Sequence, residues 1–493
     1  MTLHIILRFN LTLAFLIAGS GQIMRAADAP PSSLKTESFD RDPNWEGLNN
    51  RAAKPKKVQQ DFGYGSDGRV GGTITIAAEP AYYAKKIQPR TLDGILTASG
   101  TLVSDGRGWP LFGFFNADTL KEWRTPNTIA IRLNGRGETF LAYVEYATKR
   151  WRMNSSPFAD ETNNDKTGRS ETIEFKKGAV HQWALKYDPA ENNGSGSITV
   201  TIDDQTSVCP LLEGHRLDSA TFNRFGILNA IKHASDKGEM WLGDLTINGE
   251  KQNLGKDPQW EAFQNRHEYE TADVRPNSNY GYSKTHYAGG KAAGEMGGLT
   301  FRGNIRLPDG MNYYGDRIGV LSLKKPLKAS GKISYRRGVT DSATLIGFFH
   351  APTSVTMDPE APKAPKGWVG YLPKNFFGVA IKGPAREGFY FHPTYRLNDY
   401  RGGGNPGGPI ANCPRLNPDE LAHDWSFDYS PTAAGGKGQI TVTVDQQTVT
   451  MDLGEGHKMA GAQFNRFGIV SNAVDGNGQV VYLDDLIYTA RQE

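Results

Sequence analysis

A small set of chemically capable residues recurs at matched places in the two halves of this chain. Glu46, Asn50, Arg51, His215 and Arg224 in the first half answer to Glu261, Asn265, Arg266, His457 and Arg466 in the second. A carboxylate near an imidazole could pass protons to and from a bound substrate. The same groups could instead fasten a terminal segment through buried hydrogen bonds and ion pairs, because buried Arg and Glu are tolerated when paired. Their presence in both halves favours the second reading, since whatever both copies keep is first of all architecture.

A second set is aromatic. Tyr143 and Tyr146 lie in one apolar run, with Trp151 close behind; Tyr390, His392 and Tyr395 occupy the comparable stretch of the second half. Rings on a sheet face can stack on the C–H face of a sugar while polar neighbours bind its hydroxyls. Arg132 and Glu145 are expected to share the solvent face with Tyr143, because strand side chains alternate. The other reading is ordinary sandwich core with some surface tyrosine. In our alignment Tyr143 and Glu145 face His392 and Thr394, so two binding modules would take different ligands.

The elements that position these residues come in duplicate. His181-Gln-Trp183 matches His423-Asp-Trp425, Ile198–Asp203 matches Ile440–Asp445, Gly214-His215 matches Gly456-His457, and Phe222–Ile227 matches Phe464–Ile469, all at one offset of 242 residues. Nearer the start, Trp45-Glu46 matches Trp260-Glu261, Phe62-Gly-Tyr64 matches Tyr280-Gly-Tyr282, Tyr82-Tyr83 matches Tyr313-Tyr314, and Gly113–Phe115 matches Gly347–Phe349. The first repeat spans about Phe39–Asn248, a turn-rich linker Gly249–Lys256, and the second repeat about Asp257–Ala490. Pro352–Gly367 and Gly402–Gly408 read as inserted loops.

Within each repeat the apolar period is two. Ile198, Val200 and Ile202 alternate with Thr199 and Thr201. Thr128–Leu133 does the same and runs into Asn134-Gly135, a type I′ hairpin signal, with Phe140–Ala147 as the partner strand. Trp45–Arg51 could form one short helical turn; no longer segment has helical period with caps. The expectation is an all-β chain of two tandem antiparallel β-sandwich domains.

The N-terminus reads as an export signal over residues 1–27, with Arg8 ahead of the apolar run Leu11–Ala18. That run is shorter than the ~20 residues needed to span a bilayer, and no other segment could span one. A secreted or periplasmic bacterial protein is therefore expected. The net charge of +3 falls to +1 when Arg8 and Arg25 leave with the signal. A near-neutral chain has no electrostatic reason to hold nucleic acid or an anionic membrane. The two cysteines, Cys209 and Cys413, are not equivalent in the repeats, so a bridge between them would tie module to module. No Cys/His spacing supports zinc.

The opening stretch Phe39–Trp45, strands reading SITVTID, and the closing strands Trp241–Ile247 and Tyr482–Tyr488 together resemble the concanavalin A-like lectin/glucanase superfamily, which includes laminin-G-like modules. The resemblance implies a jelly-roll sandwich whose concave face often holds a saccharide. It also implies a possible structural Ca²⁺ between opening segment and closing strand, with Asp42, Asp244, Asp257 and Asp485 as oxygen ligands; the alternative is that these Asp side chains cap turns. No other cofactor is required. The chain departs from the catalytic members. It lacks Glu-x-Asp-x-Glu on one strand, Glu171-Thr-Ile-Glu174 has the wrong spacing, and Arg169-Ser170-Glu171 lacks the companion motifs of the lyases. The leading expectation is glycan or polysaccharide binding. A polysaccharide-degrading enzyme and a protein-adhesion module are the alternatives.

Overall fold

Alternation decides which face of each strand turns inward. Ile198, Val200 and Ile202 are fully buried, while Thr199 and Thr201 stand on the outer face, where Thr201 Oγ1 meets Thr206 Oγ1 at 3.2 Å. The second repeat places Ile440, Val442 and Val444 inside and sets Thr443 against Thr448 at 3.0 Å. Each strand ends in an Asp with left-handed backbone, Asp203 at φ 53° and Asp445 at φ 50°, a conformation Asp tolerates. Their carboxylates accept from Gln182 N at 2.9 Å and Asp424 N at 3.1 Å. They also meet His181 Nδ1 at 2.7 Å and His423 Nδ1 at 2.8 Å. The His-x-Trp and Ile-Thr-Val-Thr-x-Asp motifs are thus two parts of one strand-to-turn device, which is why they recur at one offset.

The computed structural model describes residues 32–164, 170–357, 372–383, 389–398, 400–403 and 413–491. The expected export signal, Arg169 and most of both inserted loops lie outside them. In the first module a nine-stranded sheet faces an eight-stranded one; in the second, an eight-stranded sheet faces a seven-stranded one. One large apolar core fills each pair, around Phe112, Trp183 and Phe225 in the first and Phe348, Phe377 and Phe467 in the second. The expected antiparallel all-β sandwich class is what forms, and it fits a jelly-roll. Helices such as His215–Asp218 and Ala351–Ser354 are single turns.

The modules exchange their opening segments. Strands Ser32–Glu37 and Glu46–Leu48, ahead of the first module, pair with Gly478–Arg491 and Tyr313–Ser322 of the second. Glu261–Phe263 and Arg266–Thr271, at the start of the second repeat, pair with Tyr82–Thr91 and Lys56–Gly65 of the first. Trp45 packs on Tyr314 with ring centroids 5.7 Å apart, and Trp260 packs on Tyr83 at 5.7 Å. Asn50 Nδ2 donates to Tyr280 O at 2.6 Å and Asn265 Nδ2 to Phe62 O at 2.6 Å. Glu46 and Glu261 each accept from an arginine of the other repeat, Arg466 and Arg224, at 2.7 Å.

Two local expectations are corrected. Glu46–Leu48 is a strand, not a helical turn, because its backbone is taken up by Tyr313–Gly315. The hairpin after Thr128 exists, but Asn134-Gly135 lies inside the ladder, opposite Leu141 and Phe140. The turn is Arg136–Thr139, closed by Arg136 N donating to Thr139 O at 2.8 Å with Gly137 at φ 95°. Positive φ at the first central residue alone is the type II′ pattern, not type I′. Within the turn-rich linker Gly249–Lys256, Glu250–Lys251 pairs with Thr246 and Ile247, and Leu254 is buried in the first core.

Candidate functional site

Arg132, Tyr143 and Glu145 do share a face, since Arg132 stands opposite Tyr143 and Ala130 opposite Glu145 in the strand pair. The expectation that this face meets solvent is corrected: Arg132 is 4% and Glu145 1% exposed, with Tyr143 only half-buried. The loop carrying Trp123 and Arg124 covers them. Glu145 accepts from Arg132 Nε at 2.5 Å and from Trp123 Nε1 at 3.0 Å, with Arg124 at 3.5 Å. Burial would raise its pKa, but Arg132 and Arg124 outweigh that and keep it an anion. The Arg132 guanidinium lies 4.1 Å from the Tyr143 ring and 5.0 Å from Trp109. Lys232 Nζ lies 3.8 Å over the same Trp109 ring. Burial, with Arg275 and Arg132 nearby, pushes the Lys232 pKa down to about 8.

The matching face of the second module differs. Ala380 replaces Arg132 opposite His392, and Gly378 stands opposite Thr394. His392 is buried, its Nε2 has no hydrogen-bond partner, and burial beside Lys382 pushes its pKa down to about 3. Lys382 is itself pushed down to about 7 by burial and by Arg302.

Tyr146 and Tyr395 point the other way, toward the cores. Tyr146 Oη lies 2.9 Å from His215 Nδ1, and Tyr395 Oη 2.8 Å from His457 Nδ1. Trp151 stacks on His215 at 4.7 Å; Tyr400 stacks on His457 at 4.5 Å. A clamp repeated this closely holds the single turn after Gly214 and Gly456 in both modules. His215 and His457 are therefore committed to tyrosine clamps, and Glu46 and Glu261 to the exchanged segments.

The other face of Trp151 opens a different site. Arg415 of the second repeat lies 3.6 Å over it and 5.4 Å from Tyr390. Here a cleft runs between the modules. Its two connected parts have volumes of about 460 and 220 Å³ and share Arg150, Asn417 and Asp419. Lys121 reaches across it to Glu420 at 3.6 Å. The Asn417 side-chain oxygen is buried there with no hydrogen-bond partner. Asp445 and Gln447, from the turn between strands Gln439–Val444 and Gln447–Asp452, close one end. His423 Nε2 meets Asp419 at 3.2 Å while its Nδ1 holds Asp445. The bond to Asp419, opposed by burial and helped by Asp445, lifts the His423 pKa to about 9. In the first repeat the corresponding His181 Nε2 goes to a backbone oxygen, Lys176 O, at 2.9 Å.

Sequence reasoning missed Trp109, Trp123, Lys232 and the cleft. One signal was present: Asp419 precedes the repeated His423 by four residues, where Lys177 precedes His181. The four candidate metal ligands sit in turns and bulges. Asp42 and Asp257 accept from the backbone two residues on, each at 2.9 Å. Asp244 and Asp485 both have φ 47°, beside register shifts in strands Lys237–Ile247 and Gly478–Arg491. Among the described residues no three His, Cys, Asp or Glu side chains gather as a metal site. Nor is any helix there long and apolar enough to cross a membrane. Cys209 is buried, Cys413 half-buried, and both are free thiols.

No protein-family model matches the chain, and no curated protein matches it. Solved structures do match, among them a chain from work on how botulinum neurotoxin type C enters cells through interaction with two ganglioside molecules. That similarity covers 91% of this chain and 97% of the other at 8% identity, with a TM-score of 0.22, too low to establish a shared fold.

Proposed function

We propose that this chain is an exported saccharide-binding protein whose binding cleft lies between its two modules. The observation that carries this reading is the cleft itself. Its walls come from both repeats, and the Asn417 amide oxygen in it is buried and unpartnered. Amide, carboxylate and guanidinium groups on a cleft at a module boundary are the donors and acceptors that sugar hydroxyls need. Binding is favoured over hydrolysis by the state of the carboxylates. Asp419 and Asp445 are held by His423, Glu420 by Lys121 and Arg336, and Asp118 by Asn223. His423 outweighs burial and keeps the Asp419 pKa low, where a general acid needs a raised one.

The test is a panel of neutral polysaccharides, scored for retention and for newly formed chain ends. Retention without products is expected. Asn417→Ala should weaken it about fivefold to tenfold, the worth of one or two hydrogen bonds, at unchanged melting temperature. Release of products would replace this reading with the enzymatic one, and retention indifferent to Asn417→Ala would move the site elsewhere.

A further inference from the structure

A second groove lies at one end of the first module. It has a volume of about 720 Å³ and is lined by Lys56, Lys57, Arg107 and Lys237 against only Asp236 and Glu268. Lys57 pairs with Glu268 at 3.4 Å, and Lys56 Nζ donates to Ser235 O at 3.4 Å. Arg107 and Lys237 enter no ion pair among the described residues. Behind the groove, Trp109, next in the chain after Gly108, carries Lys232 at 3.8 Å and, at 5.0 Å, Arg132, whose charge Glu145 balances. The groove lining thus carries four cations against two carboxylates.

The groove wall is closely packed backbone. The loop Gly106–Gly108 runs backbone against backbone with Gly135, Gly137 and Gly238. A Cβ on Gly238 would meet Arg107 O at 2.0 Å, and one on Gly135 would meet Gly106 O at 2.3 Å. No side chain fits between these segments, so the basic side chains rise from a preformed wall.

The second module uses the same place differently. The loop joining Leu96–Ser104 to Leu111–Phe115 forms the groove; its counterpart joins Leu327–Gly338 to Ser342–Phe349. That counterpart is spent on the first module: Gly338 N donates to Glu122 at 3.3 Å, and Thr340 Oγ1 accepts from Arg124 at 2.9 Å. In the first module this end remains open, and its lining is basic.

We infer that the groove at Lys56, Arg107 and Lys237 is a second binding site, for a saccharide polymer carrying carboxylate or sulfate groups. The polymer class rests on the saccharide reading of the cleft; the anionic character rests on this groove alone. Exposed cations on a preformed wall select anionic ligands and make their binding salt-dependent.

The full chain is tested for binding polygalacturonate, dextran sulfate, uncharged dextran and a single-stranded DNA oligonucleotide. Binding of polygalacturonate or dextran sulfate is expected, weakening as salt rises, and whichever binds identifies the carboxylate or the sulfate as the recognised group. Arg107→Glu and Lys237→Glu should each weaken it by at least about tenfold with melting temperature unchanged. Asn417→Ala should leave it intact, so loss of neutral-glycan binding and loss of this site remain separable. Failure of both acidic polymers to bind would overturn the inference. So would indifference to both charge reversals, or DNA bound as tightly as the better polymer.

Discussion

Glu46 accepts a 2.7 Å hydrogen bond from Arg466, a residue 420 positions further along the chain. Glu261 and Arg224 form the mirror contact over only 37 positions. The two bonds close the exchange of opening segments, and one of them ties the two ends of the protein together.

Two contributions hold the first segment down, and their sizes differ. Burying Trp45, which is 8% exposed, outweighs the partly solvated Glu46 pair. Trp45→Ala should cost about 3–5 kcal/mol, and Glu46→Gln about 1–2 kcal/mol. Chemical denaturation of both variants checks the order.

The Glu46 pair also sets an acid limit. Burial alone would raise the Glu46 pKa, but bonds from Tyr313, Arg317 and Arg466 hold it down at about 2. Its contribution is therefore full above its ordinary value near 4.5 and is lost as pH falls toward 2. Thermal melts of wild type and Glu46→Gln should differ at pH 6 and converge near pH 2.

His423 works in the opposite direction. Its folded pKa of about 9 lies above the ordinary 6.5. The stabilisation is fully present below about pH 6.5 and fades as pH rises through 9. Screening at the partly exposed Asp419 and Asp445 limits it to about 1 kcal/mol. NMR titration should place the His423 imidazole near 9, and His423→Gln should flatten the loss of stability between pH 6.5 and 9.

Fragments cut at the sequence repeats should fold badly. Residues 39–248 lack the strands Glu261–Phe263 and Arg266–Thr271 that complete the first module. Residues 52–271 contain them. The shorter-registered fragment should aggregate, through open sheet edges, while 52–271 gives a cooperative melt; equal behaviour would deny the exchange any energetic role.

The thiols should be silent. Burial raises the Cys209 pKa to about 12 and that of Cys413 to about 11. Native protein at pH 8 should resist alkylation by iodoacetamide, and both cysteines should react once it is unfolded.

The strands were legible wherever apolar and polar residues alternate, as at Ile198–Ile202, because one face of each is buried. The turn at Arg136–Thr139 was not, since Asn134-Gly135 carries the stronger local signal and the ladder overrides it. The Tyr146 and Tyr395 rings belong to the cores rather than to a binding face, a distinction that strand parity alone would have drawn. Covering of Arg132 and Glu145 by the Trp123 loop depends on tertiary packing that no period encodes. Pairing of Trp45 with the far module was equally hidden, because duplicated docking surfaces look alike in sequence whichever copy they receive.

Vectorial synthesis gives the exchange a temporal meaning. Strand Glu46–Leu48 cannot pair until Tyr313–Gly315 has been made, and its carboxylate has no arginine until Arg466 follows. At ~5–20 residues per second that wait lasts roughly 20–80 s. The first module can be completed earlier, once residue 271 is available. The oldest part of the chain is thus among the last to find its place, and completion of the final strands is what closes the whole protein.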